Sequence, residues 1–230
     1  MKIDLTIVIP TYNEENRILK TLKAYTSFFD KRLNCEYIIS DHSIDNTREI
    51  VRGFMKKHKN LYILGLSGRG KGIAIIEAFK IAKGDLVGFT DADNSTSPEE
   101  FFKLYQNLKG YDAVIGSRRL SKSDVVIYHK SPLRRMGSFC LGLLVRTLFG
   151  LKIKDTQCGA KIFRREKIHM VIPKMRIKNS IFDVELLWRF NKIGKIKEVP
   201  IRWIDDKFSH FKWKDVVGEA IWLIRVRFGI

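Results

Sequence analysis

The chain of 230 residues has few cysteines and no long apolar run. Its three cysteines, Cys35, Cys140 and Cys158, form neither an even set nor a Cys-x-x-Cys pair. This pattern argues against a disulfide framework and a structural zinc site, and it fits a reducing, cytoplasmic setting. The apolar stretch 139–145 is stopped by Arg146, far short of the roughly 18 residues that a membrane-spanning helix needs. A strand-like run begins within a few residues of the N-terminus, so we expect neither a secretory signal nor an integral membrane protein.

Acidic residues are also scarce: 25 Asp and Glu face 43 Lys and Arg, which gives a net charge of +18. The excess is uneven, because residues 109–170 carry 14 basic against 4 acidic residues, whereas the first 108 residues are nearly balanced. Such a basic block could bind nucleic acid, anionic lipid headgroups or a phosphorylated substrate, or it could be a plain basic surface. Charge alone does not separate these possibilities.

An apolar fraction of 45% suffices for a substantial core and argues against disorder. In the first half, short apolar runs alternate with segments of helical period. The predicted strands cover residues 5–9, 37–39, 61–64 and 86–89, and the helices between them cover 18–25, 50–55 and 73–82. This order predicts an α/β fold with a mostly parallel sheet and helices on both faces. Ligands of such sheets bind at the carboxyl ends of the strands.

A capping box marks the start of the next predicted helix. Ser97 is the expected N-cap, Pro98 takes the first helical position, and Glu100 follows three residues after the cap. Beyond a strand at 113–115 the alternation fades, and an apolar helix is predicted from about residue 136 to 149.

The last segment, residues 215–228, predicts an amphipathic helix. Its apolar face is expected to carry Val216, Val217, Ala220, Ile221, Leu223 and Ile224. This helix either packs on the domain or, with the 136–149 helix, lies on a membrane surface with Trp213 and Trp222 at the interface. We therefore expect a catalytic domain over 1–205, divided into a nucleotide-binding half (1–115) and an acceptor-binding half (116–205), followed by a helix within 206–230.

Two carboxylates follow the predicted strand 86–89, in the sequence Asp91-Ala92-Asp93. Alternation along an extended chain puts Asp91 and Asp93 on the same side, where they could share one hard divalent cation. A cation held there could clamp a diphosphate. Taken alone, such a pair could equally open a turn or cap the following helix.

The loops after the other predicted strands carry residues suited to a nucleotide. Residues 10–14 offer an aromatic ring and a carboxylate for a base and its ribose, and Asp41 can accept an N–H from a uracil or guanine edge. The glycines of 68–72 would let the backbone approach a ligand, while Lys71 supplies a cation. This last stretch nearly matches a phosphate-binding P-loop, but Gly72 stands where a Ser or Thr hydroxyl is required.

Taken together, these residues resemble the family 2 inverting glycosyltransferases, and the second half resembles their polyprenyl-phosphate branch. The resemblance covers almost the whole chain. Its motifs are Pro10-Thr11-Tyr12-Asn13-Glu14, Asp91-Ala92-Asp93, Gly116-Ser117-Arg118, Asp155-Thr156-Gln157-Cys158-Gly159-Ala160-Lys161, Phe182-Asp183-Val184-Glu185-Leu186-Leu187 and Glu198-Val199-Pro200-Ile201. The run from Asp155 to Lys161 is the most specific of these. Relatives usually carry two acids where this chain has Ser40-Asp41, so only Asp41 is carried over.

The resemblance implies a GT-A fold that binds a UDP- or GDP-sugar with Mg²⁺ or Mn²⁺ on Asp91 and Asp93. The residues it places around the nucleotide-sugar are Pro10, Tyr12, Glu14, Ile39, Asp41, Lys71, Asp91, Ala92 and Asp93. Arg118 and Arg134 or Arg135 match contacts to an acceptor phosphate. The implied acceptor is dolichyl or another polyprenyl phosphate, taken from an anionic membrane surface by an enzyme peripheral to the cytoplasmic face.

The chemistry fits this resemblance. A cation on Asp91 and Asp93 would neutralise the departing diphosphate. A lipid phosphate is largely ionised and needs mainly arginines to orient it. A hydroxyl acceptor needs a general base, for which Asp183 or Glu185 is the candidate, with Asp183 preferred. A soluble or polymer acceptor therefore remains an alternative. A nucleic-acid-binding protein is a remote one, because the two carboxylates would repel a phosphate backbone.

Overall fold

The computed structural model describes residues 2–126, 132–205 and 213–229, with side chains except at 132–140, 213–217 and 219. Four strands of the first half alternate with three helices. The strands are β1 (Leu5–Thr11), β2 (Cys35–Asp41), β3 (Leu61–Gly65) and β4 (Leu86–Phe89); the helices are α1 (Ile18–Phe29), α2 (Thr47–Met55) and α3 (Lys71–Ile81). The expected order of elements is therefore confirmed. β1 and β2 are buried along almost their whole length, as strands covered on both faces must be.

The second half completes the same sheet. Its elements are α4 (Pro98–Gln106), β5 (Ala113–Ser117), β6 (Asp124–Val126), α5 (Pro132–Phe149), β7 (Lys161–Arg164), α6 (Arg165–Val171), α7 (Phe182–Phe190), β8 (Ile196–Pro200), β9 (Arg202–Ile204) and α8 (Trp213–Phe228). The strand order is β3-β2-β1-β4-β7-β5-β8, and β6 pairs with β9 in a separate two-stranded sheet.

The mostly parallel sheet predicted from the sequence is confirmed, with one antiparallel strand. β7 lies between β4 and β5 and runs antiparallel to both. Apolar side chains fill the space on both faces of the sheet, with α3, α5, α7 and α8 against one core and α1, α2 and α4 against the other. Because β7 lies next to β4, the loop that precedes it meets the carboxyl end of β4.

Only half of the predicted capping box forms at α4. The Ser97 hydroxyl accepts the N–H of Glu100 at 3.4 Å. The Glu100 carboxylate instead accepts the N–H of Arg202 at 2.9 Å and pairs with Lys103. Glu100 therefore joins α4 to β9 rather than closing its own helix.

The apolar face predicted for the C-terminal helix is covered only in part. Leu223 and Val226 are buried, whereas Ile221 and Ile224 are 48% and 40% exposed. The cause is the packing of α8 on α5, which covers only one side of α8. The Arg227 guanidinium donates to the Leu148 carbonyl of α5 at 2.6 Å. Within the described ranges, no helix combines the length and apolar character needed to cross a bilayer.

Candidate active site

A cavity of about 320 Å³ opens at the carboxyl ends of β1, β2 and β4, beside the N-terminus of α3. It is lined by Pro10, Thr11, Tyr12, Glu14, His42, Leu66, Arg69, Gly70, Lys71, Ala74, Asp91, Ala92 and Asp93. Seven of the nine residues predicted to hold a nucleotide-sugar therefore meet in one place. The order of the strands gives the cavity two distinct ends. Its aromatic end, with Tyr12 and His42, follows β1 and β2, and its carboxylate end, with Asp91 and Asp93, follows β4.

At the carboxylate end, Asp91 faces a lysine from α3. The Lys71 ammonium lies 2.5 Å from Asp91 Oδ1. Burial alone would raise the pKa of Asp91, but Lys71, with further contributions from Arg118 and Lys161, lowers it below the ordinary value. Asp91 is therefore an anion held among cations.

Asp93 has a different environment from Asp91. Its Oδ1 accepts the N–H of Ser95 at 2.9 Å, in a turn where Asn94 takes a left-handed conformation with φ of 59°. Burial and the neighbouring Asp91 charge raise the pKa of Asp93 above its ordinary value. The two carboxylates thus repel each other, and a cation between them would relieve that repulsion.

The donor set of this pair suits a hard divalent cation of the Mg²⁺ type. Such a cation commonly uses one or two carboxylates and completes its shell with water and substrate phosphate. Within the described part of the chain, no group of three or more His, Cys, Asp or Glu side chains could enclose a metal ion. Asp91 and Asp93 therefore fit an ion that shares its coordination with a ligand.

Glu14 borders the same end of the cavity. Its carboxylate is bound by the Arg17 guanidinium at 2.6 Å. Burial raises the pKa of Glu14 despite Arg17, and the charges of Asp93 and Asp91 add to the effect. Glu14 therefore lies close enough to the aspartates to sense their charge.

The aromatic end of the cavity is built by Tyr12 and His42. Their rings are nearly parallel, with centroids 6.2 Å apart and an interplanar angle of 17°. The Arg69 guanidinium lies 4.2 Å from the centre of the Tyr12 ring, so that ring already accepts a planar group on its face.

Two predicted nucleotide contacts, Ile39 and Asp41, do not line the cavity. Ile39 is fully buried and Asp41 is 1% exposed. Asp41 accepts from the Thr11 hydroxyl at 2.9 Å, from Arg48 Nε at 2.8 Å and from the Ser43 N–H at 3.2 Å. Burial opposes ionisation of Asp41, but these hydrogen bonds together lower its pKa. The carboxylate is therefore engaged within the protein.

Two glycines of the 68–72 loop, Gly70 and Gly72, pack closely against the segment before α7, and Gly70 also lines the cavity. A Cβ at Gly72 would lie 2.7 Å from the Phe182 Cβ and 2.8 Å from the backbone of Lys178. Gly70 has a φ of 143° and lies against the Lys178 carbonyl. The loop is thus pressed against the segment that leads into α7, and this contact directs Lys71 toward Asp91.

Gly159, Lys161 and Asp183 form a buried network that packs against Asp91 on the protein side. A Cβ at Gly159 would overlap the Asp91 carboxylate, so a larger residue there would displace that carboxylate. Lys161, at the start of β7, donates to the Cys158 carbonyl and to Asp183 Oδ1, the latter at 2.7 Å. Burial raises the pKa of Asp183, although Lys161 and Lys71 oppose the shift. Asp183 is 2% exposed, so the predicted general base is enclosed in this structure.

Arg118 is held by Asp155 in a two-pronged pair. Arg118 Nε and Nη2 donate to the two carboxylate oxygens at 2.8 and 2.9 Å, and the Arg118 N–H also donates to Asp155. A guanidinium has five N–H donors, so this pair leaves others for a phosphate. Glu198 on β8 holds the loop between α5 and β7, which contains Asp155. Its carboxylate accepts the N–H groups of Lys154 and Asp155, each at 2.9 Å. The side chains of Arg134 and Arg135 lie outside the described residues.

The sequence-based reasoning missed His42 and Arg69 as cavity residues, and Lys161 and Gly159 as supports of Asp91. His42 follows Asp41 directly and Arg69 lies within the glycine-rich loop, so proximity to predicted site residues was an available signal. The sequence around Lys161 gave no such signal. Its burial depends on the pairing of β7 with β4 and on the contact with Asp183 of α7, and both are distant in the sequence.

A mostly parallel sheet with an Asp-x-Asp pair after a central strand and an adjoining aromatic cleft defines a glycosyltransferase of the GT-A class. The structure aligns with glucosyl-3-phosphoglycerate synthase of Mycobacterium tuberculosis in complex with Mn²⁺, UDP-glucose and phosphoglyceric acid. The TM-score is 0.73 over 99% of this chain and 80% of the other, at 16% sequence identity. That likeness concerns the fold.

The sequence comparison is more specific. The profile of glycosyl transferase family 2 matches residues 6–171, and the chain belongs to this family. A dolichyl-phosphate beta-glucosyltransferase of Trichomonas vaginalis is 32% identical over 96% of this chain and 72% of its own length. The dolichyl-phosphate beta-glucosyltransferase of Dictyostelium discoideum is 32% identical over 98% of this chain and 74% of its own. The protein is thus a family 2 glycosyltransferase, as its motifs predicted.

Proposed function

We propose that this glycosyltransferase moves a sugar from a nucleoside-diphosphate sugar to a polyprenyl phosphate such as dolichyl phosphate, with inversion at the sugar carbon. Transfer from a nucleotide-sugar donor is supported by one observation: a cavity with stacked Tyr12 and His42 at one end and Asp91, Asp93 and Lys71 at the other. Relatives at 32% identity named for dolichyl phosphate support the acceptor half. Glucose is the sugar that those relatives' names favour.

The carboxylate end would carry the charge of the leaving diphosphate. When bound by Asp91 and Asp93, Mg²⁺ or Mn²⁺ would supply a Lewis acid for that departure. Lys71 is a second cation at the same place, directed there by the contact between its loop and Lys178. Lys71 lines the same cavity, so its ammonium would lie beside a diphosphate bound there.

The acceptor phosphate would meet Arg118 on the other side of Asp91. Asp155 fixes the guanidinium in one orientation, and the charge of Arg118 is near enough to lower the pKa of Asp91. A phosphate acceptor is already largely ionised and needs no base. This agrees with the burial of Asp183 and its pairing with Lys161.

The surface beside α5 and α8 supports a lipid-bound acceptor. Its exposed apolar side chains are Leu143, Ile221, Trp222, Ile224 and Phe228, at 40–66% exposure. Arg225 and Arg227 lie on α8 among them, and residues 109–170 carry a net charge of +10. Apolar side chains next to arginines match the interface of an anionic bilayer. We therefore propose that the protein works as a peripheral enzyme on such a surface.

The test is an extraction assay. Purified protein is incubated with dolichyl phosphate, Mn²⁺ or Mg²⁺ and radiolabelled UDP-glucose, UDP-N-acetylglucosamine or GDP-mannose, and the product is partitioned into organic solvent. We expect label in the organic phase with one donor, and its loss in Asp93→Ala. Donor binding without lipid labelling would overturn the acceptor assignment and favour a soluble hydroxyl acceptor, for which Asp183 would be the base.

A further inference from the structure

The N-terminus of α3 is closed by the segment 175–181, which precedes α7. The first N–H groups of a helix have no partner within the helix, and they often bind a phosphate. In α3, the Gly72 N–H donates to the Asn179 carbonyl at 3.2 Å. The following N–H, that of Ile73, donates to the Lys178 carbonyl at 3.0 Å. These two donors are therefore not available to a ligand, and a side chain has to supply the positive charge for a diphosphate at this helix.

Lys71 is the first residue of α3 and carries that charge. Its ammonium lies 2.5 Å from Asp91 Oδ1. The glycines on either side of Lys71 pack against the segment before α7: a Cβ at Gly70 would overlap the Lys178 carbonyl oxygen, and a Cβ at Gly72 would lie 2.8 Å from the Lys178 carbonyl carbon. The position of that segment therefore sets the point from which the Lys71 side chain extends.

Glu185 on α7 holds the segment 175–181 in place. Its side chain is fully buried. One carboxylate oxygen accepts the N–H groups of Arg176 and Ile177 at 2.9 and 2.7 Å, and the other accepts from Arg189 Nε at 2.7 Å. Both oxygens are thus engaged within the protein. Glu185, like the other sequence-based candidate for a general base, is therefore enclosed in this structure.

We propose that Glu185 is a positioning residue for Lys71, which it holds at the diphosphate end of the cavity through the segment 175–181. The inference rests on the proposed function, because it takes the ligand of this cavity to be a nucleoside diphosphate. Glu185 binds the backbone of residues 176 and 177, and the next two residues bind the backbone of α3 on either side of its first turn. Consecutive residues thus join α7 to the donor cavity.

The role of this connection is to order a long cationic side chain before the ligand binds. A lysine loses considerable rotamer freedom when it is fixed, and a side chain that is already fixed does not pay that cost on binding. Without Glu185, the segment 175–181 and the start of α3 would be less constrained, and Lys71 would contribute less to diphosphate binding. The effect of Glu185 should therefore disappear when Lys71 is absent.

A double-mutant cycle tests this dependence. The affinity of the whole protein for UDP and for GDP is measured by calorimetry with Mn²⁺ present, and the ligand that binds more tightly is used for the cycle. Because hydrogen bonds to charged groups are strong, Lys71→Met should weaken binding about 10-fold or more, and Glu185→Ala about 5-fold or more. In the Lys71→Met background, Glu185→Ala should cost less than about 2-fold, whereas independent effects would multiply.

Two further variants separate positioning from a general loss of stability. Glu185→Gln keeps a side-chain oxygen for the same two backbone N–H groups and should bind within about 3-fold of wild type. Glu36→Ala removes another buried carboxylate, which accepts the Thr6 hydroxyl at 2.7 Å near the amino-terminal ends of β1 and β2. It lies at the opposite end of the sheet from the cavity, so its affinity should equal that of wild type.

The outcomes distinguish the two proposals. If the wild-type protein binds neither UDP nor GDP, the proposed function fails. If one of them binds but Lys71→Met or Glu185→Ala leaves its affinity unchanged, or if the two effects multiply, the positioning role is wrong while the proposed function stands. If Glu185→Ala does not fold, Gly72→Ala takes its place in the cycle with the same interpretation, because its methyl group would push α3 away from the same segment.

Discussion

The Lys161 ammonium and the Asp183 carboxylate form an ion pair of 2.7 Å with side chains that are 0% and 2% exposed. The pair joins β7 to α7, and Lys161 also holds the carbonyl of Cys158, the residue before the glycine beneath Asp91. The Lys161 ammonium lies 5.1 Å from the centre of the Phe89 ring, at the end of β4. One buried cation therefore connects three segments that converge on Asp91.

Removing Lys161 should destabilise the protein strongly. Lys161→Met leaves Asp183 buried without its cation, which typically costs about 3–5 kcal/mol. The measurement is the free energy of unfolding in urea. Lys167→Met is the matched control, because Lys167 pairs with Asp112 at the surface, where a pair is worth about 1 kcal/mol or less. Equal losses in the two variants would contradict the assigned importance of burial.

Asp183→Asn should keep most of the transfer activity. The carboxylate is enclosed and bound to Lys161, and an asparagine oxygen can still accept from that lysine. We expect kcat to stay within about 10-fold of wild type, whereas loss of a general base usually costs 100-fold or more. The assay is transfer to dolichyl phosphate, at a temperature where the variant is folded. Complete loss in the folded variant would make Asp183 the base.

Gly159→Ala should reduce activity while the fold persists. The added methyl would overlap the Asp91 carboxylate and displace it from the position beside Lys71. A displacement of about 1 Å at a reacting centre can cost about 100-fold in rate. Gly53→Ala on α2 is the control, because no atom lies within 4 Å of its added Cβ. Circular dichroism verifies the fold, and wild-type rates in both variants would refute the constraint on Asp91.

Asp155 should make stability depend on pH. Burial would raise its pKa, but hydrogen bonds from Arg118 and the charge of that residue lower it below the unfolded value. The stabilisation is therefore present above the unfolded pKa of about 3.9 and is lost as the pH falls through the folded pKa.

The check is the stability difference between wild type and Asp155→Asn, measured by urea unfolding from pH 7 downward. The difference should be largest near neutrality and should shrink below about pH 4. Asp124→Asn, which breaks an exposed pair with Arg202, should show little difference at any pH. A pH-independent difference at Asp155 would contradict the assignment.

The exposed apolar side chains of α8 should govern membrane binding. Ile221→Ser with Phe228→Ser removes two large side chains from the proposed interface and should lower the affinity for anionic vesicles at least about 10-fold. Met170→Ser, at an exposed site on α6, should change it little. Co-sedimentation with phosphatidylserine vesicles measures both. Unchanged binding of the double variant would place the contact elsewhere.

Local sequence patterns were sufficient for the first half of the fold. β4 was predicted with its observed bounds, because an apolar run between a Gly-Asp turn and the Asp-x-Asp pair has clear limits. β7 is as short as β4, but it escaped prediction because it begins with a lysine and ends with an arginine. Its apolar environment comes from strands that are distant in the sequence, so no local pattern marks it.

The candidate site shows the same division. Residues predicted from loops after parallel strands, such as Tyr12 and Asp93, meet in the cavity because strand ends converge. Asp41 followed the same rule, yet Thr11 and Arg48 draw its carboxylate inward. Periodicity places a residue at a strand end, but the partners available within hydrogen-bond reach decide which way its side chain turns.

The position of β7 in the sheet also determines whether the first half of the chain could fold as a separate fragment. The boundary predicted at residue 115 falls inside β5, and both hydrogen-bonded neighbours of β5, β7 and β8, come from beyond it. A fragment ending there would carry β5 with no partner strand and would leave one edge of β4 open to other chains. Truncation is therefore expected to give an aggregating fragment rather than a minimal nucleotide-binding unit, so the two halves must fold together.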